Sequence, residues 1–259
     1  MRQLKNKNKK FEELLSEQLK ETLLSILKNK EKRKILIERI RRFLFKNDLL
    51  KEDIPIELLT NREKFIKDIL DDYYEILSSL ENIEMINIFL RRYPNYKIYV
   101  KKITKAKYLS YHLGNYFNEI YIFEKRVESF LNKLEKKLKV KGLNKDIKKI
   151  EKLKNILYRT LEKSNTIRGI HIHKYRFNTI KLEKLDALER WGSLIDKDEY
   201  LETISHYKNI FYNDIRKKWL KIIDANKNTL KKLLDYILEE IKLIVFNKLI
   251  FYYKNGSEN

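Results

Sequence analysis

The chain has 259 residues, 43% of them hydrophobic, which is enough for one large domain or two small ones with a buried core. With only 5 glycines and 2 prolines, it is poor in turn formers and helix breakers, and strong helix formers dominate. The net charge of +21 favours anionic partners such as nucleic acid. The absence of cysteine excludes disulfides, thiol catalysis and zinc sites with cysteine ligands.

Hydropathy predicts a cytoplasmic protein with no membrane partner. The first residues, Met1–Lys5, lack the continuous apolar core of a signal peptide. No window approaches the roughly 18 uncharged apolar residues that a membrane-spanning helix needs. The most apolar stretch, Ile241–Tyr253, is interrupted by lysines and is predicted to be a buried C-terminal helix.

The N-terminal third is predicted to be helical. Apolar residues recur at helical spacing from Phe11 to Leu23 and again from Ile35 to Leu44, which predicts two helices. Thr60 and Glu63 have the spacing of a capping box and are expected to begin a third helix. Pro94 is expected to end the helical stretch that follows.

A long amphipathic helix is predicted next, over residues 101–139, with Gly142 as its stop signal. Asn144 is expected to cap a further helix that ends near Lys163. The polar residues 164–166 then predict a break before the next element.

The last part of the chain predicts a short helix that ends near Gly192, followed by a long one from about 197 to 252. We expect this last helix to bend or break near residues 224–228. The predicted fold is all-α: an antiparallel helical bundle over residues 95–259 with an N-terminal helical extension over residues 1–94.

Positive charge is unevenly distributed. Residues 85–118 contain seven Lys or Arg and no Asp or Glu, and residues 133–154 contain ten Lys against three acidic residues. Such stretches predict surfaces for nucleic acid, and the alternative is a solvated surface in a lysine-rich chain. In the first stretch, the lysines predicted to contact RNA are Lys101, Lys102, Lys105 and Lys107.

Residues 168–177 combine the side chains that phosphodiester chemistry needs. Arg168 is followed five positions later by His173 and then by Tyr175. A guanidinium binds phosphate through two hydrogen bonds and an imidazole moves a proton near neutral pH, so the pair can act without a metal ion. If this stretch is extended or turn-like, His171 and His173 point to one side. Further positive charge comes from Lys174, Arg176 and Lys181.

This pattern resembles the signature of HEPN domains, which is Arg, four to six residues, His and often x-Tyr. The resemblance covers about residues 95–250, but only the motif carries it specifically. It implies an all-α bundle that forms a homodimer and acts as a metal-independent ribonuclease in toxin–antitoxin, abortive-infection or CRISPR-linked systems. It also implies a motif at the start of a late helix. Gly169 stands where active members commonly have Asn or another polar residue.

The resemblance further implies a role for each residue. His173 would act as general base on a ribose 2′-OH or as general acid on the leaving oxygen, and Arg168 would stabilise the charge on phosphorus. The products would be a 2′,3′-cyclic phosphate and a 5′-OH, with no cofactor. Apart from the resemblance, His171 is expected to be a partly buried structural histidine, with support of the site or an RNA contact as the alternative, and Arg176 is expected to support the site. Tyr175 matches the residue that partner antitoxins of some HEPN toxins nucleotidylate.

Two other classes of protein stay open: a catalytically inactive HEPN-like module that binds RNA or a partner, and a structural helical protein. The two motif histidines lack a third ligand at suitable spacing, so no metal site is predicted. His112 is expected to be a core histidine, with a place beside the motif as the alternative. Arg126 is expected to lie on a solvated face or to orient the site through an ion pair, and Trp191 and Trp219 are expected to be core or dimer anchors.

Overall fold

The structure, a computed structural model, describes residues 9–46, 56–94, 102–173, 179–192, 194, 198–250 and 253. Every regular element in these ranges is helical, which confirms the predicted all-α class. Among the helices described, none has the length and apolar character needed to cross a membrane.

Seven α-helices are present in the described ranges. The first three are α1 Phe11–Lys28, α2 Lys30–Lys46 and α3 Asn61–Arg91, with a short 3-10 turn at Ile56–Leu58 before α3. The others are α4 Lys105–Val140, α5 Asn144–His173, α6 Ile180–Gly192 and α7 Asp198–Leu243, which continues as a π-helix over Ile244–Leu249. The predicted capping box before α3 is confirmed, because Thr60 and Glu63 exchange backbone-to-side-chain hydrogen bonds at 2.8 and 3.3 Å.

The chain divides into two compact units, and four of its helices contribute to both. One unit contains residues 1–74, 133–150 and 235–259, and the other contains 75–132 and 151–234. This division does not fall at Pro94, and the predicted boundary there stays a prediction. Pro94 follows the end of a helix, but α3 is itself divided between the units.

The first unit is built around aromatic side chains. Phe11 of α1 packs against Phe246 and Tyr73, with ring centroids 5.1 and 6.1 Å apart. Lys242 is buried there, and its ammonium donates a hydrogen bond to the carbonyl of Lys9 at 2.8 Å. The predicted burial of the C-terminal apolar stretch is confirmed over its described residues, where the buried side chains are Ile241, Ile244, Val245, Phe246, Leu249 and Ile250.

The helices α4 and α5, each of which contributes to both units, are antiparallel neighbours. Gly142 lies in the short link between them with a φ of 68°, a left-handed conformation that glycine adopts without steric cost. Residues further back on α4 contact residues further along α5, and these pairs are Glu128 with Tyr158 and Glu124 with Asn165. The predicted stop at Gly142 is thus confirmed, and the predicted cap Asn144 is itself the first helical residue of α5.

The predicted break at residues 224–228 is wrong, because α7 is continuous there. The polar side chains that suggested a break take partners on other helices. Their hydrogen bonds join Asp224 with Asn87 at 2.5 Å, Asn226 with Tyr116 at 2.6 Å and Lys227 with Glu84 at 3.2 Å. Because these polar groups have partners on other helices, they do not compete for the hydrogen bonds of their own backbone, and the helix continues through them.

Candidate functional site

The first half of the motif is helical, because α5 runs to His173. The predicted helix end near Lys163 is therefore wrong. Asn165 donates a hydrogen bond to the buried carboxylate of Glu124, and the hydroxyl of Thr166 donates to the carbonyl of Glu162 at 2.9 Å. The donor groups of both side chains are paired without capping, so α5 continues through them.

A helical backbone changes which motif positions share a face. Positions 171 and 173 lie on opposite sides of the helix, not on one side as an extended backbone would place them. Positions 168 and 171 are about 60° apart and share a face, whereas 168 and 173 are about 140° apart. The side chains of Arg168, His171 and His173 lie outside the described residues. The backbone thus places position 171, more than 173, beside Arg168.

The second half of the motif, Lys174, Tyr175 and Arg176, lies outside the described residues. Residues 168–173 form the end of a helix, whereas the HEPN resemblance implied the start of one. Lys181 lies on α6, where its ammonium forms an ion pair with Asp214 of α7. That hydrogen bond and attraction lower the pKa of the Asp214 carboxyl. An RNA phosphate would therefore have to compete with a carboxylate for Lys181.

The lysines predicted to contact RNA before and within α4 differ in their surroundings. Lys102 and Lys107 are exposed, while Lys101 lies outside the described residues. Lys105 is half-buried: its ammonium donates to Asn209 at 2.7 Å and lies 5.2 Å from the centre of the Tyr212 ring. Burial lowers the pKa of Lys105. Lys105 therefore contributes to packing, and the two exposed lysines are better placed to meet a phosphate.

The N-terminus of α4 already holds a carboxylate. Glu189 of α6 accepts hydrogen bonds from the backbone N–H groups of Lys105 and Ala106, at 2.7 and 3.0 Å. Helix N-termini attract anions through such N–H groups, so Glu189 occupies the place that a phosphate would take. Sequence reasoning missed this cap, because the two partners are more than 80 residues apart in the chain.

His112 is half-buried among aromatic rings, not fully buried in the core as predicted. Its ring centroid lies 4.4 Å from that of Tyr108, 5.2 Å from Tyr111 and 5.5 Å from Phe89. Burial lowers the pKa of His112, which keeps the imidazole neutral at pH 7. A place for His112 beside the motif stays a prediction, since the motif side chains are outside the described part.

An open groove of about 440 Å³ lies between α3 and α4 beside His112, entirely within the second unit. Its apolar lining comes from Met85, Ile86, Phe89 and Ile122, and its polar lining from Asn82, Asn115, Asn118 and Glu119, with Tyr111 at the side. Sequence reasoning missed this groove. The available signal was the spacing of Tyr111, Asn115, Asn118 and Ile122, which places them on one helical face.

Other side chains that were weighed as functional have structural partners. Arg126 of α4 pairs with the carboxylate of Glu75 and donates to the hydroxyl of Ser79 at 2.7 Å, which ties α4 to α3. Trp219 packs edge-on against Phe117, with centroids 5.9 Å apart. Trp191 is 59% exposed, which excludes a core position, and its role as a dimer anchor stays a prediction. Among the described side chains, no group of three or more His, Asp or Glu has the geometry to hold a metal ion.

The chain matches no protein-family model, and comparisons with curated proteins and with solved structures give no match either. The fold and site define an all-α protein with a basic surface and an Arg–His motif at a helix end. The HEPN resemblance rests on that motif alone.

Proposed function

We propose that this protein binds RNA in the cytoplasm and cleaves it without a metal ion, in the manner of HEPN ribonucleases. A toxin or antiviral role with a regulatory partner such as an antitoxin follows from the same resemblance. One observation carries the proposal. Residues 163–182 hold Arg168, His173 and Tyr175 among five Lys or Arg and contain no Asp or Glu. A phosphate would meet only attraction from the side chains of this stretch.

The chemistry needs a cationic group and a proton-transfer group in defined roles. Arg168 stabilises the negative charge that develops on the phosphate oxygens as the 2′-oxygen attacks phosphorus. His173 moves the proton, either from the 2′-OH or to the leaving 5′-oxygen. Because DNA lacks the 2′-OH, it is bound but not cut.

The helical spacing favours an active site formed by two copies of the chain. Positions 168 and 173 are about 140° apart around α5, so one helix presents them on different sides. A homodimer in which Arg168 of one copy meets the partner subunit's His173 would bring both groups to one phosphate. This arrangement agrees with the dimer that the HEPN resemblance implies.

The first test is cleavage of RNA in EDTA by the wild-type protein, Arg168→Ala and His173→Ala. We expect the wild type to cut and each variant to lose at least about 100-fold in rate, as removal of a general acid–base group does. Arg159→Ala, an exposed arginine on the same helix, and His206→Ala, an exposed histidine on α7, are the matched controls. Equal activity in all five proteins would contradict the proposal.

The second test mixes the two inactive variants. If the site combines residues from two copies, heterodimers of Arg168→Ala and His173→Ala contain one intact site, and mixing restores up to about half of the activity per heterodimer. If Arg168 and His173 act within one copy, both sites of every heterodimer lack a group and the mixture stays inactive.

Gly169 favours a second candidate function, an RNA-binding module without cleavage. Active HEPN members commonly have a polar residue at this position, and an added Cβ at Gly169 would meet no atom within 4 Å. Packing therefore gives no reason for glycine here. This alternative predicts salt-dependent RNA binding and no cleavage by any of the proteins above.

A further inference from the structure

We propose that the groove between α3 and α4 binds an unstacked base of single-stranded RNA. The inference rests on the proposed function only in taking RNA as the partner, and it does not require cleavage. The groove volume of about 440 Å³ suits a ligand the size of a nucleotide.

The groove has aromatic faces on which a base can stack. Phe89 and His112 form a tilted pair, with ring centroids 5.5 Å apart and an interplanar angle of 30°, and Phe89 is 46% exposed. Tyr111 is 65% exposed, and its ring centroid lies 5.2 Å from that of His112. Stacking of bases on exposed aromatic rings adds to the affinity of proteins that bind single strands.

The polar lining distinguishes a base from an apolar partner. The side-chain amide of Asn115 offers both a donor and an acceptor, which match the hydrogen-bonding edge of a base. An apolar helix or a lipid chain seated in the groove would bury this amide without giving it a partner, at a cost in free energy. Glu119, the one carboxylate in the lining, accepts a hydrogen bond from Asn82 at 3.2 Å.

Two cations close to the groove residues in the sequence can pair with the phosphates of a bound strand. Lys107 lies one helical turn before Tyr111 on α4, and Arg92 lies three residues after Phe89, just beyond the end of α3. Both are exposed. Residues 85–118 contain no Asp or Glu, which leaves Glu119 as the one carboxylate in the groove lining. Because a duplex keeps its bases stacked inside, this arrangement selects single strands.

The test compares affinities for a 12-nucleotide single-stranded RNA and for a hairpin duplex of the same length, by fluorescence anisotropy in a His173→Ala background. We expect Tyr111→Ala to weaken single-strand binding by about tenfold and to leave duplex binding unchanged. Tyr236→Ala removes a tyrosine of similar exposure (47%) on α7 and is expected to change neither affinity. Equal loss on both RNAs, or no loss with Tyr111→Ala, would overturn the proposal.

Cross-linking with 4-thiouridine RNA locates the base directly and separates this proposal from cleavage. We expect cross-links at Phe89, Tyr111 or His112, and cross-links confined to other peptides would contradict base binding in the groove. If the wild type cuts RNA but cross-links elsewhere, only the proposal of base binding in the groove fails. If it cross-links in the groove but does not cut, only the ribonuclease proposal fails. Because Tyr111 is exposed, its variant is expected to keep the wild-type thermal midpoint, which excludes misfolding as the cause of weaker binding.

Discussion

At the scale of single residues, Gly169 is unfavourable in two ways. A helix prefers alanine to glycine, and active HEPN members commonly have a polar residue at this position. Glycine inside a helix costs up to about 1 kcal/mol relative to alanine, and an added Cβ here would meet nothing within 4 Å. We therefore expect Gly169→Ala to raise the free energy of unfolding by up to about 1 kcal/mol in urea. If Gly169 limits catalysis, Gly169→Asn cuts RNA faster than Gly169→Ala. A destabilised Gly169→Ala would show that glycine is needed for the backbone.

His112 predicts a pH dependence of stability. Burial lowers its pKa in the folded protein below the unfolded value of about 6.5, so folding favours the neutral imidazole. Its contribution to stability is fully present above that unfolded value and declines as the pH falls through it towards the folded pKa. Urea unfolding at pH 7 and pH 5 should show a smaller decrease in His112→Phe than in the wild type. His206→Phe, at an exposed histidine, serves as the control and should behave like the wild type.

At the scale of elements, the pair of Asn165 and Glu124 explains why α5 extends to the motif. Glu124 is only 4% exposed, and the amide of Asn165 donates a hydrogen bond to it. Removing that donor from a buried carboxylate costs about 1–3 kcal/mol, so Asn165→Ala should lower the free energy of unfolding by that amount. Asn155→Ala, at an exposed asparagine on the same helix, should change it by less than about 0.5 kcal/mol. Equal effects would show that the pair does not support α5.

The elements also show what the sequence could predict. Apolar spacing predicted the helices correctly, and Gly142 and the Thr60–Glu63 box marked a stop and a start as expected. The errors lie at residues 164–166 and 224–228, where polar clusters indicated breaks. In these clusters, residues 41 to 143 positions away in the chain pair with the side chains of Asn165, Asp224, Asn226 and Lys227. Local patterns carry no information about such pairs, so the helices were predicted too short or broken.

The candidate site was predictable in its residue types but not in its arrangement. The spacing of Arg168 and His173 was visible in the sequence, whereas the helical backbone that separates them depends on Glu124, a residue of another helix. The same limit applies to the groove at His112, which combines residues of α3 and α4. The sequence does not show that its three asparagines line one groove, because they lie on two different helices.

At the scale of the whole molecule, the net charge of +21 predicts that RNA binding depends strongly on salt. Each neutralised phosphate releases counterions, so affinity should fall by at least about tenfold between roughly 50 and 200 mM salt. Lys107→Ala should reduce the slope of log K against log salt by about one, since Lys107 is exposed one helical turn before Tyr111. Anisotropy titrations at several salt concentrations measure both. An affinity that does not change with salt would favour a purely structural role for the charge.

The central claim is that an arginine and a histidine cleave RNA through the 2′-hydroxyl without a metal ion. The most direct measurement is the end-group chemistry of RNA cut in EDTA, with a second substrate carrying a single 2′-deoxy substitution at the mapped cleavage position. We predict a 2′,3′-cyclic phosphate and a 5′-OH on the first substrate and no cut at the substituted position of the second. Cleavage that continues at the 2′-deoxy position, or that leaves a 5′-phosphate, would contradict the account.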